Sequence, residues 1–266
     1  MVSNGYGGTP SRSRSTSPSP AGRGLRVRAW VDAAISILFA PQCAACDRPL
    51  ERPTEGTVCR SCWQAILPLT PPLCAQCGDP LPSWHTAKVF DRCARCLRMR
   101  HRVDRACAVG AYEGALRAIV QAFKYDGRRS LARPLGALMR ERGATLLAAS
   151  DVAVPVPLHR SRRRERGFNQ AEDLAKHIGL PVVAALARIR RTEVQAELSA
   201  AKRHANVRGA FALTNQADRV RGRVVLLIDD VSTTGATLDA CAEALRAERV
   251  QAVFALTVAK AATTRR

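Results

Sequence analysis

No stretch of this sequence reaches the eighteen or so consecutive apolar residues that a membrane span requires. Aromatic residues make up only 5% of it, and acids are outnumbered by bases 22 to 42. The first absence predicts a soluble chain. The second argues against an extensive surface for stacking bases. The third leaves a net charge of +20, so solvated basic surface must be abundant. Such surface attracts polyanions: nucleic acid, phosphorylated metabolites or anionic lipid head groups. The first twenty-nine residues hold five arginines and no acid, yet with those five set aside the chain still carries +15. Basicity is therefore not an effect of the tail alone. No charged start leads into an apolar core and a small-residue cleavage site, which predicts residence in the cytoplasm. In that reducing compartment the ten cysteines favour metal binding over disulfides.

With 266 residues, 47% of them hydrophobic, the chain has material for one full-sized domain and a small one. Residues 1–24, including "GYGGTPSRSRSTSPSPAGRG", are rich in Ser, Pro, Gly and Arg. They have almost nothing to bury and are expected to be disordered. Over residues 25–40, Val27, Trp30, Val31, Ala34, Ile35 and Leu38 recur at helical spacing, predicting an amphipathic helix that ends before Pro41. Its stripe is expected to pack on the rest of the protein. Peripheral contact with a membrane surface is the alternative, because Arg26 and Arg28 flank its start.

Residues 41–104 read as a Cys- and Pro-rich module and residues 105–266 as a larger domain. In the latter, Leu116, Ile119, Val120 and Phe123 mark one helix face, and Leu131, Leu135 and Leu138 a second. Strands are predicted at 151–158, 223–229 and 253–259, with helices at 169–179 and 236–248. Alternation of strands and helices, with continuous apolar runs in the strands, predicts an α/β fold: a parallel sheet with helices on both faces.

The cysteines fall into four pairs. Cys43 and Cys46 precede Cys59 and Cys62 by twelve residues, and Cys74 and Cys77 precede Cys93 and Cys96 by fifteen. Each CxxC turn offers two thiolates to one ion, and two turns complete a tetrahedral zinc site. Two tandem zinc ribbons follow, with the ions as structural staples, since eight thiolates leave no open coordination position. Sequential and interleaved pairing both give two complete sites. A redox dithiol is disfavoured without a thioredoxin-like unit around it. Cys107 and Cys241 lack such partners, and Cys241 falls on the Leu238/Leu245 helix face.

The densest chemistry lies in "VVLLIDDVSTTGATL", residues 224–238. In parallel α/β sheets ligands collect at the carboxyl ends of strands, where Asp229 and Asp230 are placed. Thr233, Thr234, Gly235, Ala236 and Thr237 open the next helix. Their N–H groups and hydroxyls can cradle a phosphate at the positive end of the helix dipole. Two carboxylates before such a cradle suit the vicinal hydroxyls of a ribose 5-phosphate. A P-loop is excluded, because no Gly-Lys-Ser/Thr ending is present.

"VLLIDDVSTTGAT" resembles the 5-phosphoribosyl-1-pyrophosphate (PRPP) signature of type I phosphoribosyltransferases. Together with "YEGALRAIVQAFKYDG" (112–127), "VPVPLHRSRRRERGFNQAEDLA" (154–175), "RTEVQAELSAAKRHANVRGAF" (191–211) and the Cys-rich half, the chain resembles the ComF-type family of competence-associated phosphoribosyltransferase-like proteins. The resemblance implies that Asp229 and Asp230 hold the ribose hydroxyls and Thr233 to Thr237 the 5′-phosphate. It implies that the turn after Pro157 faces the pyrophosphate and that Arg191 to Arg203 belong to a mobile closing loop. Arg160, Arg163, Arg166, Asn169, Gln170 and Arg203 are the resulting pyrophosphate and loop candidates. Five arginines between 160 and 166 support this, since guanidinium binds phosphate bidentately, although a solvated basic loop has the same composition.

Two functions compete. One is a Mg²⁺-dependent phosphoribosyltransferase transferring the phosphoribosyl group from PRPP to an unknown nitrogenous acceptor. The other is a binding protein for single-stranded DNA and DNA-processing partners, regulated by PRPP or a nucleotide.

Overall fold

The computed structural model describes residues 20–81, 91–99, 101–191 and 205–261. Its centre is a four-stranded sheet of β1 (Arg105–Ala111), β2 (Val152–Pro155), β5 (Val224–Ser232) and β6 (Ala252–Lys260), in the order β1-β6-β5-β2. Every pairing in it is parallel, so each connection must cross the sheet. A separate antiparallel pair joins β3 (Leu186–Arg188) to β4 (Phe211–Leu213).

Both faces of the sheet are covered, as the unbroken apolar run of β5 requires: Val225, Leu226, Leu227 and Ile228 have no solvent exposure. On one face lie α4 (Gly114–Tyr125), α5 (Ala132–Arg142) and α8 (Gln170–Ala175). Leu116, Ile119, Phe123, Leu135 and Leu174 there share a core with Leu226 and Ile228. The opposite face carries α9 (Ala236–Arg246) and the β3–β4 pair. Leu238, Cys241, Leu245, Leu186 and Phe211 pack there against Val225 and Leu227. The predicted helices and strands are present with shifted ends. β5 runs three residues past its expected end at Asp229 and includes both acids. In the larger domain two short helices, α6 (Ala144–Ala148) and α7 (Arg160–Arg166), and strands β1, β3 and β4 were not anticipated. β1 is made of Arg, Ala, Cys, Val and Gly, of which Val alone favours strands strongly, and pairing with β6 overrides that weak propensity.

The Cys-rich module is not a detached unit. Its first half, with α2 (Arg60–Gln64), contributes Cys43, Leu50, Val58 and Cys62 to the core that contains α4 and α5. Its second half, with α3 (Ala94–Arg98), lies against the start of β1. Gly78, at φ +71°, approaches so closely that a Cβ there would lie 2.9 Å from Ala106 O.

Helix α1 (Pro20–Phe39) begins at Pro20, inside the stretch expected to be disordered, where proline's fixed φ suits a first turn. Contrary to expectation, most of the described apolar residues of this helix do not pack on the protein, Ile35 being only half-buried. Trp30 is 78% exposed, Ile37 84%, Leu38 74% and Phe39 76%. Among the side chains of this helix whose burial is described, the buried one is an acid: Asp32 accepts the Thr54 backbone N–H at 2.9 Å. That bond ties this side of the helix to the ribbon, while Trp30, Ile37, Leu38 and Phe39 face solvent. No helix among the described residues is long and apolar enough to cross a membrane.

Candidate functional site

Because β5 alternates its side chains, the adjacent acids face opposite layers. Asp230 meets α4, where Lys124 Nζ lies 2.8 Å from its Oδ1, with both side chains largely buried. Asp229 lies on the side of β3 and feels the positive charge of Arg188. Asp229 Oδ1 also accepts the Asp230 backbone N–H at 2.8 Å, which fixes its rotamer. Burial first, and the neighbouring Asp230 second, raise the Asp229 pKa to about 7, while Lys124 pulls it the other way. The Lys124 pKa is raised: desolvation opposes the ammonium, but the charges of Asp230 and Asp229 outweigh it. The pair is therefore a site of reduced charge held between two cations.

After Ser232 the chain turns through Thr233 and Thr234 to Gly235, the residue before α9. Gly235 has φ +83°, and a Cβ there would touch nothing within 4 Å. The glycine thus answers a conformational need: the left-handed region is disfavoured for other residues by about 1–2 kcal/mol. Thr234 is buried, and its Oγ1 accepts the Ala236 N–H at 3.4 Å. Ala236 and Thr237 begin the helix itself. The acids and the five loop residues picked out by sequence, separated only by Val231 and Ser232, thus lie around the end of one strand and the positive end of one helix.

The arginine-rich segment is a helix, not a turn. His159 caps α7, accepting the Ser161 N–H, and Gly167 ends it in the left-handed conformation. Arg162 lies near enough to Arg188 to help lower its pKa, an effect second to burial, so α7 and the acid pair share one neighbourhood. Arg163 forms a bidentate pair with Glu172 at 2.9 and 3.0 Å. Arg166 bonds Gln170 Oε1 at 3.2 Å and stacks 5.1 Å over the Tyr125 ring. Gln170 Nε2 donates to Lys124 O at 3.5 Å. Asn169 is an N-cap: it accepts the Ala171 N–H and donates to Val156 O, both at 3.1 Å. Phe168 is core, 5.6 Å from the Phe123 ring. Arg160 begins α7, and Arg203, with residues 192–204 of the expected closing loop, falls outside the described residues. Sequence reading missed Lys124 and Arg188, which come to the acids from α4 and β3. The lone signal was a lysine after the apolar face of α4.

The cysteines pair sequentially. The sulfurs of Cys43, Cys46, Cys59 and Cys62 lie within 4.8 Å of one another, as do those of Cys74, Cys77, Cys93 and Cys96. All-thiolate sets of four suit zinc, and the backbone N–H groups of Cys59 and Cys93 each donate 3.3 Å bonds to Cys43 and Cys74 Sγ. The second site is tied to the sheet through Asp79, which takes Arg95 at 2.7 Å and the buried Lys260, at the end of β6, at 3.2 Å. Gln76 Nε2 adds a 3.3 Å bond to Val103 O.

Two Cys₄ ribbons ahead of a parallel sheet with an acid pair and a helix-opening threonine loop define a zinc-ribbon protein of the phosphoribosyltransferase fold. Residues 34–97 match the double zinc ribbon domain family, and residues 164–266 the phosphoribosyl transferase domain family. The chain is 30% identical over 233 residues to Competence protein F of Haemophilus influenzae, covering 84% of this chain and 98% of that protein. It is 32% identical over 213 residues to the DNA utilization protein YhgH of Escherichia coli K12, covering 76% and 89%. Similarity to Competence protein ComFC of Bacillus subtilis is 29% over 206 residues, covering 74% and 80%. The chain belongs to this ComF family of competence and DNA-utilization proteins.

Proposed function

We propose that the protein binds PRPP at the end of β5 and transfers its phosphoribosyl group to a nitrogenous acceptor, displacing pyrophosphate. The observation that carries this reading is the acid pair of β5 running directly into the Gly235 turn and the N-terminus of α9. Asp229 and Asp230 accept the ribose hydroxyls, and Thr233 to Thr237 receive the 5′-phosphate with backbone N–H groups and hydroxyls. Arg160, Arg163 and Arg166, with Arg203, are the cations for pyrophosphate, while Asn169 and Gln170 position that segment. Positive charge near the leaving group stabilises it as the bond to C1 breaks, and fixed hydroxyl acceptors orient the sugar for in-line attack.

The donor set fits Mg²⁺ only as an ion that arrives on the substrate. Two carboxylates, one already bonded to Lys124, are too few for a cage, but Mg²⁺ is commonly held by one or two acids plus substrate phosphates. When bound, the ion would supply charge neutralisation at the pyrophosphate, and Asp229 and Asp230 are the carboxylates that would hold it together with the sugar.

The reading is tested by calorimetric titration of Mg²⁺ and PRPP into the wild type and an Asp229→Asn/Asp230→Asn variant, with ribose 5-phosphate for comparison. Mg²⁺-dependent binding that the double change weakens is expected. A folded, zinc-loaded protein that binds neither compound sinks it.

A second reading, single-stranded DNA and DNA-processing partners as the physiological context, is supported by the words competence and DNA utilization in the relatives' names and by the +20 charge. Both readings place the protein in the cytoplasm, where the thiolate sites stay reduced. The exposed apolar residues of α1 fit peripheral contact with an anionic membrane surface.

A further inference from the structure

Lys124 belongs to no motif for phosphate or zinc, yet it forms a close ion pair with one of the two acids. Three features hold it there. Leu116, Ile119, Val120 and Phe123 bury the whole inner face of α4, so the helix cannot shift without opening the core. Lys124 lies in the last turn of that helix, where the dipole favours a cation. Its carbonyl receives Gln170 Nε2 at 3.5 Å, and Gln170 is itself buried. The ammonium is thereby delivered 2.8 Å from Asp230 Oδ1 with only 14% of the side chain exposed.

The consequences follow from counting oxygens and charges. Asp230 Oδ1 is taken by Lys124, and Asp229 Oδ1 by the Asp230 backbone N–H. Among the described residues, no hydrogen bond reaches the second oxygen of either acid. With respect to the described residues one acceptor per carboxylate remains, which matches two neighbouring hydroxyls. Two bare adjacent carboxylates would instead attract a free divalent cation, because their combined charge is −2. An internal ammonium in contact with one of them cuts that charge at no entropic cost of recruiting an ion, and a metal must displace a buried, preorganised partner.

We propose that Lys124 is a positioning and selectivity residue: it holds Asp230 and occupies the cation position of the acid pair, so that the site takes a cis-diol sugar phosphate and excludes a free divalent metal. This rests on the sugar-phosphate reading above and assigns the pair's selectivity to a residue outside the signature loop.

The test uses the full zinc-loaded chain with Lys124→Met, Lys124→Gln and Lys124→Met/Asp230→Asn variants. Free Mn²⁺ binding is measured by electron paramagnetic resonance without sugar, with Asp229→Asn/Asp230→Asn as background, and ribose 5-phosphate affinity by calorimetry. The wild type should bind the sugar phosphate and hold no Mn²⁺ above background. Lys124→Met should gain Mn²⁺ affinity and lose sugar affinity, each by about tenfold or more, the scale on which groups supporting a ligand act. Adding Asp230→Asn should erase the gained Mn²⁺ binding. Lys124→Gln, which keeps a hydrogen-bond donor, should fold even if Lys124→Met does not, and should show the same gain in Mn²⁺ affinity. Wild-type values for both ligands in a folded Lys124 variant overturn the proposal and leave the PRPP reading standing. A wild type that binds no sugar phosphate, beside a Lys124 variant that gains Mn²⁺, removes that reading and retains the role of Lys124 as the pair's counter-ion.

Discussion

At the residue scale, the site is built at some expense to stability. Asp229 has its pKa raised to about 7 by burial and by Asp230, against an ordinary aspartate value near 4. The folded protein therefore binds this proton more tightly than the unfolded chain does. Between about pH 4 and 7 the native state holds more protons, so the Asp229 contribution to stability falls as pH rises through that window, and ionised Asp229 is a burden above it. Asp229→Asn keeps an oxygen for the Asp230 N–H and removes the charge. It should raise the melting temperature strongly at pH 8, less at pH 5, and little at about pH 4. Thermal denaturation of both proteins across that range checks this, and a variant that is less stable at pH 8 would contradict it. The same replacement should weaken sugar-phosphate binding, which separates the group's functional value from its structural cost.

At the scale of elements, the two ribbons are extensions of the main fold. The first shares its core with α4 and α5 through Cys43, Leu50, Val58 and Cys62. The second holds Lys260 at the end of β6 through Asp79. Removing one zinc should therefore destabilise the sheet as well as the ribbon. Cys59→Ser and Cys93→Ser should each lower the zinc content from two ions to one per chain by mass spectrometry of the metal. Cys59→Ser should also lower the melting temperature of the sheet domain, because the first ribbon supplies side chains to its core. If the sheet melts unchanged in a chain with one zinc, the ribbons are independent units. Helix α1 is the contrasting element: it is fastened by Asp32 to Thr54 while Trp30, Ile37, Leu38 and Phe39 stay exposed.

At the scale of the whole molecule, charge dominates. If the protein binds single-stranded DNA as in the second reading proposed, a net +20 with only 5% aromatic residues predicts contact to phosphates more than to bases. Affinity should then fall steeply and linearly with the logarithm of salt concentration, with a slope of about −0.7 per phosphate contacted, and depend little on base sequence. Fluorescence anisotropy of labelled oligonucleotides from low to moderate salt measures this slope. Affinity that persists at high salt would point to stacking, for which the exposed Tyr125 beneath Arg166 is the first place to look.

Much of this protein was legible because its chemistry is contiguous. The acid pair, the threonine-glycine loop and the four CxxC turns are each one short segment, and the alternation of apolar strands with helical spacing fixed the class of sheet. Local propensity and local ligand geometry are written in neighbouring residues, so the sequence alone could determine them. Only the tertiary structure decided which CxxC turns share an ion, that the arginines of 160–166 form a helix partly engaged with Glu172 and Tyr125, and that α1 turns its apolar side outward. It also brought Lys124 and Arg188 to the acids from α4 and β3. These are contacts between side chains far apart in the chain, created when buried faces close on one sheet, and no pattern of neighbouring residues encodes them.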